Sequence, residues 1–351
     1  MTPPRVAIVG AGITGAAIAW YLTKAGARVS IFELGATGGV ATAGSLAWIN
    51  AHRPEQPGYF GLRLKALRKW QALCDDISGL PVRFAGSLNW ESSPDEMIAL
   101  TKAYEAAGHK AKLIDGLAIR RLVPAIELPE LAIWCPTEGL ADPERIAHSI
   151  LSAAIQAGAE LHLDASVTAF ERGGRKVMIE HGSDREFDHT IVAGGLGSVP
   201  LLKAVGFVLP LAPSPGLVVR TEPTDPLLRP FLAAPGVHFW QREDGRILAG
   251  ADYAGSFEPE RVDDTVNATL DLIRELFPGA LIREEARTIT DRPMPADGLP
   301  ILGPVPDNDA LSVAVLHSGI TLAPMVGDLM AQWVVSGQLP DEMKPYKVSR
   351  F

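Results

Sequence analysis

The sequence predicts an α/β (α+β) fold in which one parallel-stranded layer is assembled from separated stretches of chain, and three observations carry this. The head of the chain reads strand, glycine turn, helix, strand: the apolar run Arg5–Val6–Ala7–Ile8–Val9 stops at Gly10, as a buried parallel strand does. Ile13 to Ala25 is lined with small residues (Ala16, Ala17, Ala19) that let a helix lie close on a sheet, Gly26 ends it, and Arg28 to Glu33 returns as a strand. That is a βαβ unit. Strand-then-glycine pieces recur in mid-chain (Thr190 to Ala193, then Gly194–Gly195–Leu196–Gly197) and in the tail (Leu311 to Leu316, a glycine turn, then a helix from Pro324 to Val335). Between them, Leu217 to Tyr253 has a strand-and-turn texture.

The remaining elements follow in order. Apolar residues recur every three to four positions from Tyr59 to Ile77 and from Pro94 to Ala107, which predicts two helices. A third is expected from Asp142 to about Ala157, because Asp142 suits an N-cap, Pro143 the first turn, and Glu144 the positive helix end, with Gly158 as the stop. Leu161 to Leu163, Val167 to Phe170 and Lys176 to Glu180 read as strands. Val237 to Trp240 and Arg246 to Ala249 flank Glu243–Asp244–Gly245 as a hairpin. Thr265 to Phe277 is a further helix, Arg292 to Pro306 a Pro/Gly-rich loop, and no internal repeat is present.

Composition narrows the function. A chain of 351 residues has room for two domains sharing buried surface, and 47% hydrophobic against 21% charged residues is the balance of a globular protein. A net charge of −9, with no basic stripe to offset it, argues against a nucleic-acid or anionic-membrane partner. Cys74 and Cys135 lie far apart and form no CxxC pair, which suggests a reducing compartment. The head lacks the apolar core of a signal peptide, and the late apolar stretch is interrupted by His317, Asp328 and glycines. A cytoplasmic setting is therefore expected. The eight histidines include no HExxH, no cysteine pair completes a zinc site, and neither Ser45 nor Ser318 sits in G-x-S-x-G, so no metal site or hydrolase is expected.

Gly10–Ala11–Gly12–Ile13–Thr14–Gly15 is G-x-G-x-x-G between a strand and a helix. In such a Rossmann-like unit Gly10 permits the tight turn, Gly12 lets backbone approach a pyrophosphate, and Gly15 lets the helix pack on the sheet. The helix N-terminus offers N–H groups and partial positive charge to a diphosphate. Glu33, ending the second strand, suits the two ribose hydroxyls and repels a 2′-phosphate, which disfavours NADP. The motif alone does not separate FAD from NAD.

Three further segments bear on that choice: Gly38–Gly39–Val40–Ala41–Thr42–Ala43–Gly44–Ser45 after the second strand, Thr190–Ile191–Val192–Ala193–Gly194–Gly195 in mid-chain, and Asp297–Gly298–Leu299–Pro300–Ile301–Leu302–Gly303–Pro304 ahead of His317–Ser318–Gly319–Ile320–Thr321–Leu322–Ala323–Pro324. With the head motif, this series resembles the D-amino-acid oxidase family, in its glycine oxidase and sarcosine oxidase branch, over nearly the whole chain. The resemblance implies a discontinuous FAD-binding domain of the glutathione-reductase type (residues 1–80, 141–205 and 288–351) with an inserted mixed β-sheet substrate domain (81–140 and 206–287). It implies that Gly10, Ala11, Gly12, Ile13, Thr14, Gly15, Glu33 and Leu34 hold the adenosine end, that Thr42 and Ala43 contact the phosphates, and that Val167 meets the adenine through its backbone. Gly194 and Gly195 pass near the same end, or are simply a strand-end turn. Gly319, Ile320 and Thr321 approach the flavin N1 and C2 carbonyl, where backbone N–H groups at a helix start would stabilise the reduced ring; an ordinary strand–helix connection is the other reading.

On the substrate side the resemblance matches Arg292, just ahead of Asp297–Gly298, to an arginine that binds the substrate carboxylate beside the flavin; from the residues alone, a surface pair with Asp291 or Asp297 is the favoured reading. A planar guanidinium clamps a carboxylate bidentately and so fixes the Cα–H over flavin N5. His238 stands where the glycine oxidase branch carries a tyrosine, and either binds substrate, accepts a proton or is a hairpin histidine. Trp48 and His52 line the pocket or belong to the core, and His317 precedes the glycine turn. Ala314–Val315 replaces the Gly–His pair common in the family, and no cysteine or histidine falls where relatives attach FAD, so FAD is expected to be non-covalent. The implied activity is oxidation of the C–N bond of a small amino or imino (secondary amine) acid by hydride transfer to N5, giving an imine that hydrolyses, with oxygen or a redox partner as acceptor and a homo- or hetero-oligomer as a further possibility. The alternatives are an FAD dehydrogenase subunit of the opine or hydroxyproline type, a catalytically silent FAD-binding assembly subunit, and an NAD-dependent reductase.

Overall fold

Alternate side chains of the head strand feed two separate cores, which is how a parallel sheet covered on both faces is built. Val6 and Ile8 enter one core with Ile18, Leu22 and Ile31, whereas Ala7 and Val9 enter another with Phe32, Val192 and Val313. The computed structural model describes residues 2–52, 54–127, 129–250 and 261–351. Among them, six strands run in the order Ile301–Pro304, Leu311–Val315, His189–Val192, Arg5–Val9, Arg28–Phe32, Glu160–His162. All pairs are parallel except the edge pair Ile301–Pro304 with Leu311–Val315. Tail, middle and head strands are thus immediate neighbours, as the sequence led one to expect. Helix Ile13–Lys24 and helix Gly319–Ser336 pack together on this sheet.

A second sheet of eight described strands runs Glu284–Pro295, Leu211–Thr221, Ile247–Gly250, Val237–Gln241, Phe231–Ala234, Ser87–Asn89, Leu131–Cys135, Lys112–Asp115. It is mixed: only Phe231–Ala234 with Ser87–Asn89 is parallel. The hairpin at Glu243–Gly245 forms, closed by the Arg242 N–H on the Arg246 carbonyl at 2.8 Å. Residue 288, taken above as a boundary, falls inside the strand Glu284–Pro295, which pairs with Leu211–Thr221 almost throughout. The end of the Leu217–Tyr253 stretch lies outside the described residues. Two small three-stranded sheets complete the fold: Val167–Glu171 with Lys176–Ile179 and Arg185–Glu186, and Trp48–Ile49 with Gly139–Ala141 and Val82–Arg83.

Two helix starts differ from expectation. The regular helix expected from Asp142 begins at Ile146, one turn later, although Asp142 still opens that turn as a cap does: its carboxylate accepts the Glu144 N–H at 3.0 Å and its carbonyl the Ile146 N–H at 2.9 Å. The tail helix begins at Gly319 rather than Pro324. An internal proline removes one helical hydrogen bond and leaves the carbonyl four residues earlier unpaired, at a cost of about 3 kcal/mol. Here that carbonyl is Ile320's, and the fully buried Trp70 indole N–H donates to it at 3.0 Å. The proline is tolerated because a neighbouring helix supplies the missing donor.

Candidate functional site

The glycine motif forms the expected turn, and its three glycines serve different ends. Gly10 has φ +107°, and a Cβ there would stand 2.7 Å from the Ala193 carbonyl oxygen; it joins the head to the mid-chain Gly194–Gly195 segment. A Cβ on Gly15 would lie 2.0 Å from the Gly10 carbonyl oxygen, so helix and turn could not close. Gly12 is different. Its backbone is extended, at φ −72° and ψ −179°, and nothing in the protein comes nearer than 3.7 Å to where its Cβ would stand. The chain's own packing would accept an alanine methyl at Gly12, in ordinary contact with Gly39 and Thr42, so it does not by itself require glycine there.

Side chains and a second glycine pair finish this cradle. Glu33 accepts the Ala11 N–H at 2.7 Å and the Gly35 N–H at 3.1 Å, which holds its carboxylate beside the turn. The Thr42 hydroxyl accepts the Ile13 N–H at 3.3 Å, next to the uncapped start of the helix, and Ala43 closes the one-turn helix Val40–Ala43. Gly38 pairs with Gly12 in an isolated parallel bridge, and the Thr37 hydroxyl is bonded to His148 at 2.7 Å. Leu34 is exposed at the rim. Ala165 donates to the Glu33 carbonyl at 3.0 Å, which brings the start of strand Val167–Glu171 to the same end. A helix start without a capping side chain at its N-cap, an ordered carboxylate and a glycine that packing does not require at position 12 fit a dinucleotide diphosphate and ribose.

The tail turn meets the head here. Seen from Gly319, the Ile13 side chain and the Thr14 hydroxyl lie 3.6 and 3.7 Å from the Cβ position. The Thr321 hydroxyl donates to the Trp48 carbonyl at 3.2 Å and accepts the Asn50 N–H at 3.3 Å. Asn50 accepts from Arg63, and Arg63 also donates to the Ser318 hydroxyl at 2.8 Å. His317 is bonded to Ser318 at 3.4 Å. The loop carrying Trp48 to His52 is therefore tied down on the side of the tail turn.

Its other side is tied by Glu138, which is fully buried. One carboxylate oxygen accepts the Trp48 indole N–H (3.0 Å) and the Ser87 hydroxyl (2.7 Å); the other accepts the Ala51 N–H (2.9 Å) and faces His109 (3.3 Å). Burial alone would raise this carboxyl, but it is held below the usual carboxylate range, with the His109 hydrogen bond and the Ala51 N–H among the groups that lower it. His109, Cys135 and Glu138 bring ligand-type atoms within 4.8 Å of one another, a grouping that motif spacing did not show. Both Glu138 oxygens already serve two donors each, so the group reads as a hydrogen-bond network.

Trp48 stacks on Phe231 at 4.0 Å and meets His52 and His238 edge-on at 4.6 and 5.9 Å. His52 is bonded to the Tyr104 hydroxyl at 3.2 Å. Burial, then the positive charges of Arg63 and His238, lower its pKa to about 4, although Glu138 and Glu91 oppose this. His238 pairs with Glu91 at 2.7 Å.

Arg292 stands opposite Ser214 on the long strand pair and donates to the Ser214 carbonyl (3.2 Å), the Ser214 hydroxyl (3.1 Å) and the Pro215 carbonyl (3.1 Å). Asp297 is held by Arg350 instead, at 2.8 Å. Opposed residues of antiparallel strands share a face. By register Arg292, Thr290, Val218, Gly250 and His238 all lie on one face. That face meets the Gly44–Trp48 segment: the Thr290 side chain abuts Gly44, and the Leu46 side chain lies 3.0 Å from the Cβ position of Gly250.

Sequence reasoning missed Arg63, Asn50, Glu138 and His148. For Arg63 a signal existed. Tyr59, Arg63, Ala66, Trp70 and Leu73 are all buried on helix Pro57–Asp76, so an arginine occupies a position on the helix's apolar stripe.

Known proteins resemble this chain over nearly all of its length. A family profile described as FAD dependent oxidoreductase matches residues 5–333. Glycine oxidase of Pseudomonas aeruginosa is 28% identical, over 96% of this chain and 96% of that protein. One subunit of the opine oxidase of Rhizobium meliloti is 27% identical, over 98% of this chain and 96% of that protein. The crystal structure of glycine oxidase from Geobacillus kaustophilus matches with a TM-score of 0.86 at 25% identity, covering 99% of each chain.

Proposed function

Because this chain belongs to the family of FAD dependent oxidoreductases, we propose that it oxidises the C–N bond of a small amino or secondary-amine acid. FAD, when bound, supplies the electron sink that takes a hydride from the carbon beside nitrogen, and the resulting imine hydrolyses in water. The parallel sheet would hold FAD non-covalently, with Gly12, Ile13 and Thr42 at the diphosphate, Glu33 at the ribose and the Gly319–Thr321 turn at the flavin pyrimidine. Neither Cys74 nor Cys135 belongs to those segments, and both are free thiols, which suits a reducing cytoplasm.

The observation that carries the substrate reading is Arg292, held by carbonyls on the sheet face that meets the Gly44–Trp48 segment. A fork pre-aimed in this way binds a carboxylate bidentately and orients the carbon beside it. Trp48 and the neutral His52 exclude water around the amine, and His238, fixed by Glu91, borders the same space. The relatives named as glycine oxidases support this reading at full chain length. The relation to an opine oxidase subunit favours a second one, in which electrons pass to a partner protein.

Anaerobic addition of glycine, sarcosine, D-amino acids and proline derivatives to the FAD-loaded protein should bleach the flavin with at least one of them. Readmitting air then separates an oxidase, which recovers its colour, from a partner-dependent dehydrogenase. An Arg292→Ala variant should keep FAD yet lose about a hundredfold in kcat/KM for carboxylated substrates, close to 3 kcal/mol. Unchanged kinetics would remove Arg292 from the site. A flavin left oxidised by every amine would point instead to a silent assembly subunit.

A further inference from the structure

Arg63 is a buried cation among neutral partners. It is 7% exposed, and its guanidinium donates to the Tyr59 hydroxyl at 3.1 Å, the Ser318 hydroxyl at 2.8 Å and the Asn50 side-chain carbonyl, while its Nε has no acceptor. Among the described residues no carboxylate lies within 4.0 Å of it. The group it leans on makes matters worse electrostatically. Ser318 immediately precedes the 18-residue helix Gly319–Ser336, whose first turn has no side-chain cap. A helix start carries partial positive charge, so a full positive charge stands against a partial one inside the protein. Burying a charge without a counter-charge is costly, and a fold that does so at a ligand cleft leaves the counter-charge to the ligand.

We propose that Arg63 is the built-in counter-charge for the reduced flavin. It acts from behind the Ser318–Thr321 turn as a positioning residue that favours negative charge on the part of the ring facing this turn. Oxidised isoalloxazine is neutral, so the charge is answered only when the ring accepts electrons, and the effect is to raise the reduction potential. A substrate carboxylate is the other anion within reach of the idea. Arg63 is nearly sealed from solvent, however, and its partners Ser318 and Asn50 are tied to the tail turn, whereas Arg292 belongs to the large sheet and is held by Ser214 and Pro215. The inference rests on FAD as cofactor and not on which amine is oxidised, so the two readings fail separately.

The test compares Arg63→Met and Arg63→Lys in the FAD-loaded protein without substrate. Removing the charge should shift the reduction equilibrium at least tenfold against the reduced form, which for a two-electron couple lowers the midpoint potential by about 30 mV, whereas Lys retains most of the wild-type value. The melting temperature of the oxidised Met variant should stay within ~3 °C of wild type, because relief of the buried charge without a counter-ion offsets the hydrogen bonds lost at Asn50 and Ser318. An unchanged potential with a fall in melting temperature would make Arg63 merely structural and overturn the proposal. An unchanged potential with a raised KM for carboxylated amines would assign its charge to the substrate, with the same consequence. Should Arg63→Met not fold, Arg63→Gln removes the charge while keeping polar contacts, and its potential is read in the same way.

Discussion

The two ends of the cleft are built from different materials. At the end proposed for the adenosine the work is done by backbone: Gly10 and Gly15 permit contacts no side chain allows, Gly12 is a glycine that packing does not require, and helix Ile13–Lys24 starts without a capping side chain at its N-cap. At the Trp48 end it is done by side chains, with Glu138 and Arg63 holding one loop from opposite sides. A backbone site tolerates almost no change at its glycines yet is indifferent to most neighbours. A side-chain site can be retuned one residue at a time.

The sharpest way to break this contrast is within the cradle itself. Gly15→Ala places a methyl 2.0 Å from a backbone oxygen and should cost upwards of 4 kcal/mol, seen as loss of soluble folded protein. Gly12→Ala should leave unfolding almost untouched and weaken FAD binding by tenfold or more in a fluorescence titration. If both glycines behave alike, the space in front of Gly12 is not a ligand's. At the other end, Glu138→Gln turns an amide N–H₂ toward groups that donate, and about 3 kcal/mol of stability should disappear in urea unfolding. A loss below 1 kcal/mol would show that the buried carboxylate is not what holds the Trp48 loop.

A smaller effect comes from pH. The folded His52 pKa is about 4 against 6.5 in the unfolded chain, so the unfolded state binds the extra proton between these values. The contribution of a neutral His52 is complete above pH 6.5 and is lost as pH falls towards 4. Between pH 7.5 and 5 the wild type should therefore lose about 2 kcal/mol more than His52→Gln. Equal losses would place His52 in water rather than against Trp48.

The same contrast explains what could be read in advance. Gly10, Gly12, Gly15 and Glu33 were legible because steric limits on backbone leave few residue choices, and these survive as a motif. The Gly319 turn was legible too, although Pro324 misplaced the helix start, since only the fold brings the Trp70 indole to the orphaned carbonyl. Glu138 was not legible: within Cys135–Pro136–Thr137–Glu138–Gly139 it looks like a surface turn residue, and its donors come from positions 48, 51, 87 and 109. Networks assembled across such separations leave no local pattern.

Central to all of this is one FAD bridging the head and tail of the chain, and amide hydrogen exchange with and without FAD tests it directly. Protection should rise together at residues 10–15, 38–43 and 319–323. Protection confined to the head segments, with the Gly319 turn exchanging as before, would contradict the shared site.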